Sequence, residues 1–199
     1  RELGLSVITP TDLGAEETIE QLSLWRSDVF IVAAFGKIFD SNVLELPVFG
    51  CLNVHASLLP RHRGAAPVAA GIWAGDEVTG ITLMEMDEGL DTGPILHQRA
   101  IPITSGHTGG SLTGELSYVG SKLLIDTLPE YLAGKTDPRP QDHTAATYAP
   151  RLKKSDGHLD FRRPAEYLAR QVRALDPWPG AFALRGGVRL KVLQARVVI

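Results

Sequence analysis

The chain has 199 residues, 44% of them hydrophobic and 22% charged, with a formal net charge of −3 at pH 7. This balance supports a sizeable core and excludes a disordered chain, and no membrane-spanning apolar run or signal-peptide pattern is present. A single cysteine, Cys51, excludes an internal disulfide and suits a reducing compartment such as the cytoplasm.

The charge is unevenly spread. Residues 1–149 carry nine Lys/Arg against nineteen Asp/Glu, and residues 150–199 carry eleven against four. A basic module beside an acidic one suits a nucleic-acid partner. Two plainer readings stand beside it, a solvated basic surface and a basic surface docked on the acidic domain.

The opening Arg1–Ile8 reads as a helix end leading into a strand. Thr11 to Trp25 follows a helical pattern carried by Leu13, Ile19, Leu22 and Leu24, with Thr11 or Asp12 as the cap. Asp28 to Gly36 is a nearly continuous apolar run, the pattern of a central parallel strand buried on both faces. A short helix over Asn42–Leu46 is stopped by Pro47.

The next strand, Gly50 to Ser57, organises the chain. Side chains alternate across a strand, so Asn53, His55 and Ser57 share one face and Leu52, Val54 and Ala56 the other. Cys51 falls on the polar face; without a neighbouring base it reads as a small buried side chain. Pro67 to Ala74 forms a helix with Pro67 in its first turn. Thr79 to Asp87 is a second strand pattern, running into the glycine-rich loop Glu88-Gly-Leu-Asp-Thr-Gly-Pro with Asp91 at its middle.

Thr108 to Leu132 is the longest helical pattern, with Leu112, Leu116, Val119, Leu123, Leu124 and Leu128 facing a core and Ser111 able to cap a start inside it. Gly134 to Asp142 is rich in Pro, Gly and polar residues and reads as a linker. Pro164 to Leu175 is helical. Beyond Pro177-Trp-Pro-Gly, two strands meet at Arg185-Gly-Gly-Val, a hairpin signal, and Arg189–Ile199 closes the chain in a strand pattern.

Asn53, His55 and Asp91 together suit attack of an amine on an acyl group. An amide and a protonated imidazole donate hydrogen bonds to a developing oxyanion, and a carboxylate orients the imidazole, or a water, as the nucleophile loses its proton. Taken singly, each has a plain reading: a strand-end hydrogen bonder, a core histidine, an Asx-turn residue. The six histidines form no metal-ligand pair, the acidic run Asp87–Asp91 lacks the rest of a calcium loop, and no phosphate-binding glycine loop is present, so no metal or nucleotide is expected.

Two longer motifs extend this picture: Asn53-Val-His-Ala-Ser-Leu-Leu-Pro-Arg-His-Arg-Gly-Ala-Ala-Pro67, and Met86-Asp-Glu-Gly-Leu-Asp-Thr-Gly93. With Thr147-Tyr-Ala-Pro and Asp176-Pro-Trp-Pro-Gly-Ala, they closely resemble the methionyl-tRNA formyltransferase family over nearly the whole chain. The resemblance implies an α/β fold. Residues 1–135 would form a Rossmann-like formyltransferase domain with an open, mostly parallel sheet, residues 136–155 a linker, and residues 156–199 the start of a small OB-like, tRNA-binding β-barrel domain.

It further implies transfer of a formyl group from 10-formyltetrahydrofolate, a cosubstrate, to the α-amino group of methionyl-initiator tRNA in the cytoplasm. No obligate protein partner is evident. Asn53, His55 and Asp91 would be catalytic, and Ser57, Leu58, Leu59, Pro60, Phe35 and Ile38 would contact the folate. Phe35 and Ile38 read equally as a buried strand and its turn. Arg61 and Arg63 read as solvated loop charges, or as ligands near a folate tail or phosphate. His62 stands where the family usually has Tyr. Arg151, Lys153, Lys154, Arg162 and Arg163 are candidate phosphate neighbours. Relative to the family the chain reads as an interior fragment, without the earlier strand and basic discriminating loop and without most of the barrel.

Within enzymes, a sister transferase using another amine, or a hydrolase passing the formyl group to water, is the alternative. From another class, an RNA-binding protein on the same scaffold without its chemistry is the rival reading.

Overall fold

The computed structural model describes residues 3–198. The helix end expected at Arg1 and Glu2, and the last residue of the closing strand pattern, Ile199, lie outside the described residues. In the described part, residues 4–10 and 193–198 belong to no strand. Leu5 and Val7 are exposed there, and the opening strand pattern finds no strand partner among the described residues.

A four-stranded sheet, in the order β1-β2-β3-β4, comprises β1 (Phe30–Val32), β2 (Cys51–His55), β3 (Val78–Glu85) and β4 (Ile95–Pro102). The sheet is open and mixed. β1 and β2 run parallel, with Val32 opposite Asn53. β3 is antiparallel to β2, and β4 to β3. Among the described residues the parallel character is therefore confined to one pairing. Residues 86–94 are too short a connection for a crossover, so β4 can only return antiparallel.

Two strand expectations are corrected. The run Asp28–Gly36 yields only the short β1, which lies at the edge of the described sheet, and Ile31 is 40% exposed rather than buried on both faces. β4 had no counterpart in the sequence reading. It is an edge strand whose His97, Gln98 and Arg99 are exposed, so it lacks a run of apolar residues.

Helices α3 (Pro67–Ala74) and α4 (Gly109–Leu132) cover one face of the sheet, the face of Leu52 and Val54. α3 occupies the span expected for it, with Pro67 in its first turn and Gly75 closing it in a left-handed conformation. α4 starts at a capping box. Thr108 accepts from the Ser111 backbone, and Ser111 Oγ accepts in return from the Thr108 N–H at 2.9 Å, so Ser111 is the partner of the cap rather than the cap itself. Leu112, Leu116 and Leu123 of α4 are buried against Leu52, Ile81, Leu83 and Ile72. Truncating such a leucine to Ala costs roughly 2–5 kcal/mol.

Two shorter helices pack at the β1 edge. α1 (Glu16–Leu24) begins later than Thr11 because Asp12 spends its carboxylate on the Gly14 N–H in a turn, leaving Ala15 as an N-cap without a side-chain bond. α2 (Ser41–Leu44) is capped by Asp40, which accepts from the Val43 N–H at 3.1 Å.

Residues 134–150 form no helix beyond a single turn, yet they are tied down as a strap across the loop after β2. Bridges pair Arg139 with Ile95 and Tyr148 with Arg63. α5 (Ala165–Ala174) then packs on α3, with the Tyr167 and Trp73 ring centroids 5.8 Å apart, and contributes Ala174 to the main core. A hairpin of β5 (Ala181–Arg185) and β6 (Val188–Val192) follows, joined by Gly186 and Gly187 at φ 55° and 81°. These are the positive angles a two-residue hairpin turn demands. Among the described residues, no helix is long and apolar enough to cross a membrane.

Candidate active site

Asn53 and His55 leave one face of β2 at its carboxyl end, while Leu52 and Val54 on the other face pack into the helix-covered core. The loop after β3 starts beside β2, with Met86 N–H on the Cys51 carbonyl at 2.8 Å, and folds back. That return brings Asp91 to Asn53.

The contacts at the centre are short and directional. Asn53 Nδ2 donates to Asp91 Oδ1 at 3.0 Å, and the Gly64 N–H donates to Asp91 Oδ2 at 2.7 Å. His55 Nδ1 stands 3.5 Å from Asp91 Oδ1, and His55 is only 6% exposed. Its Nε2 lies 2.9 Å from the carbonyl oxygen of His62. A carbonyl can only accept, so Nε2 carries a proton. The nitrogen left to exchange a proton is therefore Nδ1, the one facing the carboxylate. When Nδ1 is also protonated, the buried imidazolium has Asp91 as its counter-ion, the arrangement that makes a buried charge tolerable.

Asp91 holds this position in a left-handed backbone conformation, φ 52°, which is uncommon outside glycine but open to Asp and Asn. Gly64 is required where it sits. At φ 109°, an added Cβ would lie 2.8 Å from the Ala149 carbonyl oxygen.

The turn after β2 is built from buried polar groups. Ser57 is fully buried and donates to the Arg61 carbonyl at 2.6 Å. Thr82 Oγ1 donates to the Ser57 carbonyl at 2.7 Å and accepts from the Leu59 N–H at 3.0 Å. At its outer edge, Asp76 accepts from Arg61 Nη2 and from His62 Nε2, each at 2.7 Å. Burial raises the Asp76 carboxyl, but the hydrogen bonds from His62 and Arg61 outweigh it and hold the group below the usual carboxylate range.

The family model for formyl transferase matches residues 4–128, and that for the formyl transferase C-terminal domain matches residues 151–199. The chain belongs to the formyl transferase family.

Among curated relatives, the methionyl-tRNA formyltransferase of Halorhodospira halophila is 52% identical over 97% of the chain and 62% of that protein. The chain spans about six tenths of the length of the curated relatives it matches. Of solved structures, methionyl-tRNA formyltransferase from Clostridium thermocellum aligns with a TM-score of 0.73 at 25% identity, over 96% of this chain and 80% of that one. HypX from Aquifex aeolicus, solved in complex with tetrahydrofolic acid, aligns with a TM-score of 0.74 at 21% identity, over 86% of this chain and 30% of that one. At that identity the second likeness concerns the fold alone.

The fold brings together Asn53, His55 and Asp91, which the sequence could only place on separate segments. Phe35 and Ile38 are not buried: they are 47% and 64% exposed on the loop after β1, so the buried-strand reading of these two is withdrawn. Because β1 and β2 are parallel, that loop emerges on the side where β2 ends. In the 57–60 turn, Ser57 and Leu59 are buried while Leu58 and Pro60 are partly open.

Arg63 corrects both readings made of it. It is 2% exposed, neither a solvated charge nor open to an anion, and its guanidinium meets Gln141 Oε1 and His143 Nδ1. Arg61 is half exposed and paired with Asp76. Cys51 is buried among Val32, Phe39 and Val43, and burial pushes its thiol up to about 11, in keeping with an inert side chain. Sequence reasoning did not find Gln141, the Gly64 N–H or the His62 carbonyl. Two of these are backbone groups, which no residue type announces, and Gln141 sat in a stretch read as linker.

Proposed function

We propose that this chain carries the catalytic centre of a methionyl-tRNA formyltransferase, moving a formyl group from 10-formyltetrahydrofolate to the α-amino group of methionyl-initiator tRNA. The observation that carries the chemistry is the convergence of Asn53, His55 and Asp91 at the end of β2. The choice of acceptor is supported by the names of relatives at 43–52% identity.

In this reading the amine nitrogen attacks the formyl carbon, the new C–N bond forms, and the carbonyl oxygen becomes an oxyanion. Asn53 spends one amide hydrogen on Asp91, and its second donates to that oxyanion. Protonated His55 stabilises the same charge from Nδ1. Asp91 holds the imidazolium and assists loss of the ammonium proton. Collapse restores the carbonyl and breaks the bond to the folate N10, which takes up a proton as tetrahydrofolate leaves.

The exposed Phe35 and Ile38 offer apolar surface to the folate ring, and the turn over Ser57, Leu58, Leu59 and Pro60 would form the opposite wall through its partly open Leu58 and Pro60. The basic C-terminal segment would take tRNA phosphates. Arg151, Lys153 and Lys154 precede α5. Arg162 is held in plane by Asp160 at 2.7 and 2.9 Å, and Arg163 lies 5.4 Å from the centroid of the Tyr167 ring. The cytoplasm, where charged tRNA and folate meet, is the expected compartment.

The test is formyl transfer from 10-formyltetrahydrofolate to charged initiator tRNA by the full-length protein, with folate release followed in parallel. Formylated methionyl-tRNA at a rate matching folate release is expected. Folate release without it means a hydrolase or another acceptor, and RNA binding without turnover favours the scaffold-only reading.

A further inference from the structure

We propose that Gln141, seated on the buried Arg63, is a positioning residue that holds the Asp91 loop in its working conformation. The inference rests on the formyl-transfer reading of the site.

The Gln141 side chain is 6% exposed in the residue as a whole and uses every hydrogen-bonding group it has. Its Nε2 donates to the Asp91 carbonyl at 2.9 Å and to the Gly93 carbonyl at 2.7 Å. Its Oε1 accepts from Arg63 Nε at 3.2 Å and Nη2 at 2.7 Å. One amide thus bridges the loop carrying Asp91 and the loop carrying Gly64, whose N–H is itself on Asp91 Oδ2. The two bridges close a ring around Asp91: carboxylate to Gly64, along the chain to Arg63, guanidinium to Gln141, amide back to the Asp91 carbonyl.

Such a ring meets a specific need. Asp91 sits at φ 52°, a conformation uncommon outside glycine that neighbouring hydrogen bonds help to keep. Holding the carbonyls at 91 and 93 fixes the peptide planes that follow Asp91 and Gly93, and with them the path of the loop that carries the Asp91 side chain. Arg63 is anchored in turn: its N–H is on the Thr147 carbonyl at 2.8 Å, and its carbonyl accepts from Ala149 N–H at 2.7 Å. Among the described residues, the guanidinium has no carboxylate in contact; its hydrogen-bond partners are the neutral Gln141 and His143. Burying a cation on neutral groups is costly for stability alone, which is consistent with a role in aiming the amide. Gln141 lies on the strap between the two family modules, so the catalytic carboxylate is held by the segment that joins them.

The test compares full-length parent, Gln141→Ala and Gln141→Glu. Steady-state formylation, thermal unfolding and hydrogen exchange of the Gly64 N–H, the donor to Asp91 Oδ2, are measured on each. Glu keeps the acceptor for Arg63 but has no N–H for the two carbonyls, so it separates anchoring of Arg63 from aiming of Asp91. Both variants are expected to lose kcat on the order of 10²-fold, with KM for folate and tRNA within about 2-fold of the parent. In both, the Gly64 N–H exchanges faster, because the carboxylate is no longer held against it.

Parental kcat and parental exchange of the Gly64 N–H in folded variants would overturn the assignment, whatever the loss of melting temperature. Should Gln141→Ala not fold, Gln141→Glu carries the same comparison. A parent that does not formylate methionyl-tRNA, together with faster Gly64 N–H exchange in the variants, would overturn the functional reading while leaving the positioning role supported.

Discussion

Replacing Asp91 by Asn changes one atom in the candidate centre, and the structure says what each consequence should be. The carboxylate accepts from Asn53 Nδ2 at 3.0 Å and from the Gly64 N–H at 2.7 Å, using one oxygen for each. An amide is nearly isosteric and tolerates the left-handed φ of 52°, so the loop keeps its path. It offers one acceptor oxygen, however. Whichever way it is turned, its NH₂ faces a donor, either Asn53 Nδ2 or the Gly64 N–H. One hydrogen bond is lost and a partly buried N–H is left unpaired, which costs about 1–3 kcal/mol.

The larger effect is electrostatic. The neutral amide removes the anion 3.5 Å from His55 Nδ1, the counter-ion of the imidazolium that donates to the oxyanion in the proposed mechanism. Loss of one such donor reduces turnover by about 10²–10³, or roughly 3–4 kcal/mol. The assay is steady-state formylation by full-length Asp91→Asn and parent, with thermal unfolding beside it. We expect kcat to fall by that factor, and the melting temperature by roughly 2–10 °C. A folded variant with parental kcat would refute the assignment of Asp91.

Three further predictions follow from the same geometry. Gly64→Ala places a Cβ 2.8 Å from the Ala149 carbonyl at φ 109° and displaces the N–H that holds Asp91, so formylation should drop at least about 10-fold; unchanged activity would mean the loop relaxes freely. Asp76 titrates below its unfolded value, so its contribution to stability is present above pH ~4 and lost as pH falls through the folded value. Asp76→Asn should therefore be less stable than the parent near pH 7, with the gap closing below about pH 4 in urea unfolding; a gap independent of pH contradicts the ion-pair account. Cys51, its thiol pushed up to about 11 by burial, should react with a disulfide reagent at pH 7.5 only as the chain unfolds. Rapid labelling of the native protein would show the side chain to be accessible.

Much of the local structure was legible from residue order alone. α3 follows from an apolar run with Pro67 at its start, and the β5–β6 hairpin from two glycines between alternating strands, because each depends on neighbours a few residues away. The polar row on β2 was legible for the same reason: alternation along a strand is a property of the backbone. The two motifs made Asn53, His55 and Asp91 candidates together.

What residue order could not decide was anything set by segments meeting across the chain. Asn53 and Asp91 are 38 residues apart, and Arg63 and Gln141 are 78 apart; their contacts exist only once β3 has paired with β2 and the strap has crossed the loop. Arg63 shows the consequence most clearly. A charged side chain in a loop is read from composition as solvated, and only the strap that covers it makes it a buried anchor. The edge strand β4 went unread because one open side removes the need for apolar residues, and the extent of β1 because burial on both faces needs a second neighbour. Local sequence singled out Asn53, His55 and Asp91 as candidates; the tertiary fold decided which nitrogen of His55 faces the carboxylate, and what holds that carboxylate in place.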